Sequence, residues 1–321
     1  MKKLLLVLVA VTAALFGLHA RADDFPSRPI TLVAVFGAGS ASDTLCRIIG
    51  DALSKELNQS VVVEPRPGAD GALAATYVSR AAPDGYTLML ATNSPLSADP
   101  HLIKVSYDPI KDFVPVTRVG SFTLMVVVNP SLPIHSLADV VSYAKANPGK
   151  LSFASGNTAG IVGLATINRW AGTDIVHVPY KTTPPALQDV IAGRVSMMLA
   201  DFTTAMPHVK AGSIRPIAVS RIKRSALFPD LPTIAESGLP GFNLDTWAGF
   251  VAPAKTPPAI VTKLNGALRK VIDSPDAQAK FRNVGFEAFS STPEELGDYI
   301  KVQFGMWGKM VKDAGIGLES Q

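Results

Sequence analysis

Two short stretches carry the residue types that hold an anion. The first, FGAGSASD at residues 36–43, follows the apolar run ITLVAV and precedes a helical pattern. Gly37 and Gly39 permit positive φ and close backbone approach. Ser40, Ser42 and Asp43 are residue types that open helices. The N–H groups of a helix start have no partner within the helix, and the helix dipole favours negative charge there. Phe36, Gly37, Ala38, Gly39, Ser40 and Asp43 are therefore expected to face a ligand. The plain alternative is a strand-to-helix turn whose donors are capped by its own serines.

The second stretch, FASGNTAG at residues 153–160, again lies between a strand pattern and a helix pattern. Ser155, Asn157 and Thr158 offer side-chain donors, and Gly156 offers bare backbone. One such loop in each half of the chain can grip one small anion from two sides. Neither loop carries Lys or Arg. Neutral donors suit a carboxylate better than a phosphate, which usually recruits cationic side chains. Arg66 and Lys181 are placed nearer the rim, or as solvated surface charge. Asp201, at the end of MMLAD, is expected either to accept from an amine or hydroxyl on the ligand or to cap the next helix. Tyr180, with Phe202 and Trp247, is a candidate pocket wall.

Enzyme motifs are weak or missing. Gly37-x-Gly39-x-x-Ser42 with Glu64 after the second strand is half of a dinucleotide fingerprint, without its third glycine. There is no Gly-x-Ser-x-Gly elbow and no Walker A lysine. His101, His135, His177 and His208 are scattered, with no metal-ligand spacing. No pair of acids stands out for acid–base work. Binding without reaction, without cofactor and without metal is the expectation, with an exported dehydrogenase as a remote alternative.

The elements that must position these loops alternate along the chain. ITLVAVF, SVVVEP and YTLMLAT read as strands, separated by the helices SDTLCRIIGDALSKEL and GALAATYVSRAA. The pattern restarts after FVPVTRVGSFTLMVVVNP. There SLADVVSYAKA is a helix with Ser136 as N-cap, followed by strands at LSFAS, IVHVPY, VSMMLAD and IRPIAVS with helices between. Apolar strands alternating with helices mean mostly parallel sheets flanked by helices. Two α/β lobes follow: residues 23–123 with 247–321, and residues 124–246. Two crossing strands, near 124–128 and 245–250, join them and leave a cleft.

The N-terminus has the form of a secretory signal. A basic MKK, a 15-residue apolar core too short for a membrane span, and Ala20-Arg21-Ala22 predict cleavage after residue 22. The chain has 321 residues and a net charge of +4, which falls to +1 once Lys2, Lys3 and Arg21 leave. No basic stripe remains for nucleic acid. Cys46 is the only cysteine, so no internal disulfide forms. Its helical spacing with Ile49 and Leu53 predicts a buried, inert thiol.

Landmarks along the mature chain closely resemble the Bug family of periplasmic solute-binding proteins, the TctC-like receptors of tripartite tricarboxylate transporters. They include FPSRPITLV, RPGADGALAATYVSRAAPDGYTL, YDPIKDFVPVT, NPGKLSFAS, HVPYK, PALQDVIAGRV, PHVKAGSIRPIAVS and FPDLPTIAESGLPGF. The resemblance implies a two-lobed Venus-flytrap fold that binds a small carboxylate, amino acid or aromatic acid. It places the carboxylate between the loops at 36–43 and 155–158, partly through water. It also implies delivery to a membrane permease, while the signal segment points to the periplasm of a Gram-negative cell or to secretion, and a monomer is expected. Docking on a membrane sensor kinase is the alternative role. Val35 and Ser40 stand where the family has Pro and a second Gly, and Thr182 follows HVPYK where Gly is usual.

Overall fold

The computed structural model describes residues 25–225 and 228–317. The segment read as a signal peptide lies outside them. The apolar run at Ile30–Ala34 forms β1, and Ser40 caps the next helix, α1 (Ala41–Leu57), by accepting from Asp43 N. β2 (Val61–Pro65), α2 (Ala72–Ser79) and β3 (Thr87–Thr92) follow. A π-helical turn at Ser94–Ala98 leads into the short α3 (Asp99–Leu102). β4 (Phe113–Phe122) and β5 (Leu124–Val128) are separated by Thr123 alone.

The second run of elements opens with α4 (Leu137–Ala146), capped by Ser136 as the sequence predicts. β6 (Ser152–Ser155), α5 (Thr158–Ala171), β7 (Val176–Pro179), α6 (Thr183–Ile191), β8 (Met197–Asp201), α7 (Phe202–Lys210) and β9 (Arg215–Val219) complete it. β10 (Thr246–Pro253) then leads to α8 (Pro258–Ile272), α9 (Pro275–Asn283), β11 (Phe286–Ala288) and α10 (Pro293–Ala314).

Two sheets result, in the orders β11-β4-β10-β3-β1-β2 and β7-β6-β8-β5-β9. Both are mixed: most strands of each run one way, as expected, while β10 and β11 in the first and β5 in the second run against them. The β2-β1-β3 and β7-β6-β8 pairs are parallel, as right-handed βαβ units require. The pairs made by β4, β5, β9, β10 and β11 are antiparallel. The cause is the direction of the crossings. Strands of βαβ units end at the cleft, whereas β5 and β10 begin there, having just arrived from the other lobe, and so run the opposite way.

The crossings themselves are narrower than the predicted segments. Leu124–Val128 lies wholly in the second sheet and Thr246–Pro253 in the first, so the chain passes at Thr123 and Asp245. Arg221 ties this region together, pairing with Asp245 at 3.7 Å and with Glu287 of the first sheet at 2.6 Å. Helices α8 and α10 pack back on β4, and α10 also reaches α5 in the second lobe. Among the described residues no helix is long and apolar enough to cross a membrane.

Candidate ligand-binding cleft

Between the two lobes lies a cavity with about 410 Å3 of empty space, its mouth included. Its walls are the carboxyl ends of strands and the starts of the helices after them, the usual ligand position in open α/β sheets. From the first lobe come Phe36, Ser40, Ala41 and Ser42, at the β1–α1 turn, and Thr92, Asn93 and Ser94, at the end of β3. The second lobe contributes Asn157 and Ala159 at the start of α5, Thr183 at the start of α6, and Asp201 at the end of β8. Phe122, Leu124 and Thr246 flank the crossings and form the back wall.

The first turn is built by its own serines. Ser42 Oγ accepts from Phe36 N at 3.2 Å and lies 3.1 Å from Ser40 Oγ. Gly39, at φ +77°, donates its N–H to Asp43 Oδ2 at 2.9 Å. Serine capping, the plain alternative for this turn, therefore does occur, but it uses the N–H of Phe36 and Asp43, while Asp43 takes that of Gly39. Ala41 and Ser42 are the first residues of α1, where N–H groups have no partner within the helix, and both line the cavity. Asp43 turns away from the ligand space, held by Arg47 at 3.0 Å.

The second turn is seated on α6. Asn157 Oδ1 accepts from Gly160 N at 2.9 Å, capping α5, and Asn157 Nδ2 donates to Thr183 Oγ1 at 3.3 Å. A Cβ at Gly156 would stand 2.3 Å from Thr183 N and 2.4 Å from the carbonyl carbon of Thr182. Only glycine lets the turn lie against that backbone. Ser155 Oγ is 2.6 Å from His177 Nε2, and burial pulls the His177 pKa down. Thr158 donates to Asp99 of the first lobe.

Several sequence-nominated residues do not reach the cavity. Phe36, Ser40, Asn157 and Asp201 line it; Gly37, Ala38, Gly39, Asp43, Ser155, Gly156 and Thr158 shape or support its two turns. Tyr180 is not among the residues that line this cavity; its hydroxyl donates to Asp189 Oδ2 at 2.5 Å and braces α6. Trp247 and Phe202 are buried in the hydrophobic cores of the first and second lobes. Arg66 pairs with Glu64 at 2.6 Å and stacks on Tyr77.

Asp201 is both a cap and a wall. Its Oδ1 accepts from Thr204 N at 2.8 Å, and burial raises its pKa. Thr92 and Asn93 are the residues that sequence reasoning missed. Both are buried at 4% exposure, yet Thr92 Oγ1 and Asn93 Nδ2 have no protein partner. The available signal was position: they end the third strand, where ligands of such sheets sit. Among the described residues no group of three or more His, Cys, Asp or Glu is placed to hold a metal ion.

Comparison with known proteins agrees with this arrangement. The model of the tripartite tricarboxylate transporter family receptor, TctC, matches residues 45–316. The protein BugT of Bordetella pertussis is 32% identical over 321 residues, covering 98% of each chain. Among solved structures, R. palustris Rpa4515 with adipate superposes with TM-score 0.89 at 34% identity, over 92% of this chain and 99% of that one. MatC from Rhodopseudomonas palustris, with bound malate, gives TM-score 0.84 at 32% identity, over 89% and 100%. The periplasmic binding protein BugD gives 0.87 at 31%, over 91% and 99%. The chain belongs to the TctC receptor family, whose members are solute-binding proteins and not enzymes.

Proposed function

We propose that this member of the TctC receptor family captures a small organic acid between its lobes in the periplasm and delivers it to a tripartite tricarboxylate-type permease. One observation carries the reading. The N-termini of α1 and α5 come from opposite lobes to one cavity whose lining, among the described residues, holds no lysine, arginine or histidine. Helix-start N–H groups and hydroxyls are enough for a carboxylate. Adipate on Rpa4515 and malate on MatC support the acid class. A ligand touching both lobes favours the closed arrangement, and the closed form is what the permease recognises. Residues 1–22 are the signal peptide of this reading, and the mature receptor acts as a monomer.

The test is a thermal-shift screen of residues 23–321 against mono-, di- and tricarboxylates, amino acids, aromatic acids and amides. A true ligand at a thousand times its Kd stabilises by roughly 4 kcal/mol. Stabilisation confined to carboxylate-bearing compounds is expected. A silent panel, or hits without a carboxylate, would overturn the organic-acid assignment. Deleting the gene should abolish uptake of the ligand. Intact uptake with lost ligand-induced transcription would assign the receptor to a sensor kinase instead.

A further inference from the structure

The cavity's polar groups are of two opposed kinds. Thr92 Oγ1 and Asn93 Nδ2, on the first lobe, are buried in the lining and have no protein partner. An amide N–H left so needs an acceptor, since a buried unpaired donor is costly. Across the cavity, on the second lobe, stands the carboxyl of Asp201, the only ionisable side chain in the lining among the described residues. It seeks a donor and repels a second negative charge. No cationic side chain in the lining offsets it.

We infer that the cleft selects monocarboxylates carrying a second, uncharged group that both donates and accepts: a hydroxyl or a primary carboxamide. The helix starts of α1 and α5 hold the carboxylate. The second group accepts from Asn93 and Thr92 and donates to Asp201. A dicarboxylate of the same skeleton presents only acceptors to Asp201 and brings a second charge into a cavity of low polarity. A plain monocarboxylate leaves Asn93 unpaired. This inference rests on the organic-acid reading above and narrows it.

Calorimetric titration of residues 23–321 at pH 7.5 tests it with matched ligands: succinate against succinamate, glutarate against glutaramate, and butyrate against 4-hydroxybutyrate. The monoamide or hydroxy acid of each pair should bind at least about tenfold more tightly, the scale of one unpaired buried polar group. Asp201→Asn should bring the ratio of dicarboxylate to monoamide Kd close to one. Asparagine caps a helix as well as aspartate does, so α7 is retained, and the melting temperature checks this. Asn93→Ala should weaken the amide and hydroxy acids and remove their advantage over butyrate.

Dicarboxylates that bind as tightly as their monoamides would overturn the inference while leaving the organic-acid receptor intact. A butyrate affinity equal to that of 4-hydroxybutyrate would do the same. An unaltered ligand preference in a folded Asp201→Asn protein would remove Asp201 from the selection and sink the proposal. Failure of all six compounds to bind would overturn the inference alone, since the organic-acid reading is decided by the wider thermal-shift panel.

Discussion

Thr158 of the second lobe donates its hydroxyl to Asp99 of the first, Oγ1 to Oδ1 at 2.5 Å, with both side chains buried. The bond runs directly from the start of α5 to the first residue of α3. Behind it stands Asp70, whose carboxyl burial pushes up to about 6. Burial also raises Asp99 well above the usual carboxylate range; the charge of Asp70 adds to the rise and the Thr158 hydrogen bond opposes it.

A pH dependence follows. A carboxyl raised on folding keeps a proton that the unfolded chain has released, so stability falls as pH climbs from about 4 towards the folded pKa. The slope reaches about 1.4 kcal/mol per pH unit for each such group. Asp99→Asn removes this term and keeps an acceptor for Thr158. Calorimetric melting between pH 4.5 and 8 should show the wild type losing stability with rising pH more steeply than the variant. At pH 8 the variant should melt at the same temperature or a few degrees higher. Equal slopes would show that Asp99 does not exchange a proton on unfolding.

Gly156 gives a steric prediction. Its missing Cβ is what lets the β6–α5 turn rest on the Thr182–Thr183 backbone. Backbone cannot swing aside as a side-chain tip can, so Gly156→Ala must displace either the turn or the start of α6. Overpacking of this kind costs about 1–3 kcal/mol. Both Asn157 and Thr183 would move from the cavity wall, so ligand affinity should drop at least about tenfold. Melting temperature and Kd measured together check the two effects. A variant with native affinity would mean that the turn is not part of the clamp.

Cys46 should be chemically silent in the native protein. It is completely buried in α1, and burial raises its pKa, with Asp43 adding to the rise and Arg47 opposing it. A thiol without thiolate character is a poor nucleophile. A thiol reagent at pH 8 should modify none of it until denaturant is added, and then one equivalent. Rapid native labelling would show that α1 opens readily.

The helix caps, the apolar strands and both glycine turns were legible in the sequence because each is local. Ser40 and Ser136 announce helix starts within three residues of the bonds they make, whereas Asn157, read as a ligand donor, caps α5. Thr92, Asn93, Phe122 and Thr246 were not, because strand pairing brings them to the cavity across long stretches of chain. Thr246 lies opposite Phe122, and Ala248 opposite Thr92. The reversal of β5, β10 and β11 was not legible for a related reason: apolar content does not reveal the direction in which a buried strand runs. Helix α9 also escaped, since its PDAQAKFRN sequence buries only Ala277 and Phe281.

Asn157 separates a structural role from an electrostatic one. Its Oδ1 caps α5 through Gly160 N, so Asn157→Ala should cost about 0.5–2 kcal/mol of stability. Loss of affinity in that variant would be ambiguous, because the turn itself loosens. Asn157→Asp is sharper. Aspartate caps as well as asparagine, and its charge suits a helix N-terminus, so stability should stay within about 0.5 kcal/mol of wild type. The same charge faces the place assigned to the ligand's carboxylate, in a cavity with no cation to offset it. Repulsion at short range in a partly dry site is worth more than 1 kcal/mol, so carboxylate affinity should fall by about tenfold or more. Titration at two salt concentrations completes the test, because a buried repulsion is only weakly screened. A stable Asn157→Asp protein that binds its acid as tightly as wild type would place the carboxylate away from the start of α5.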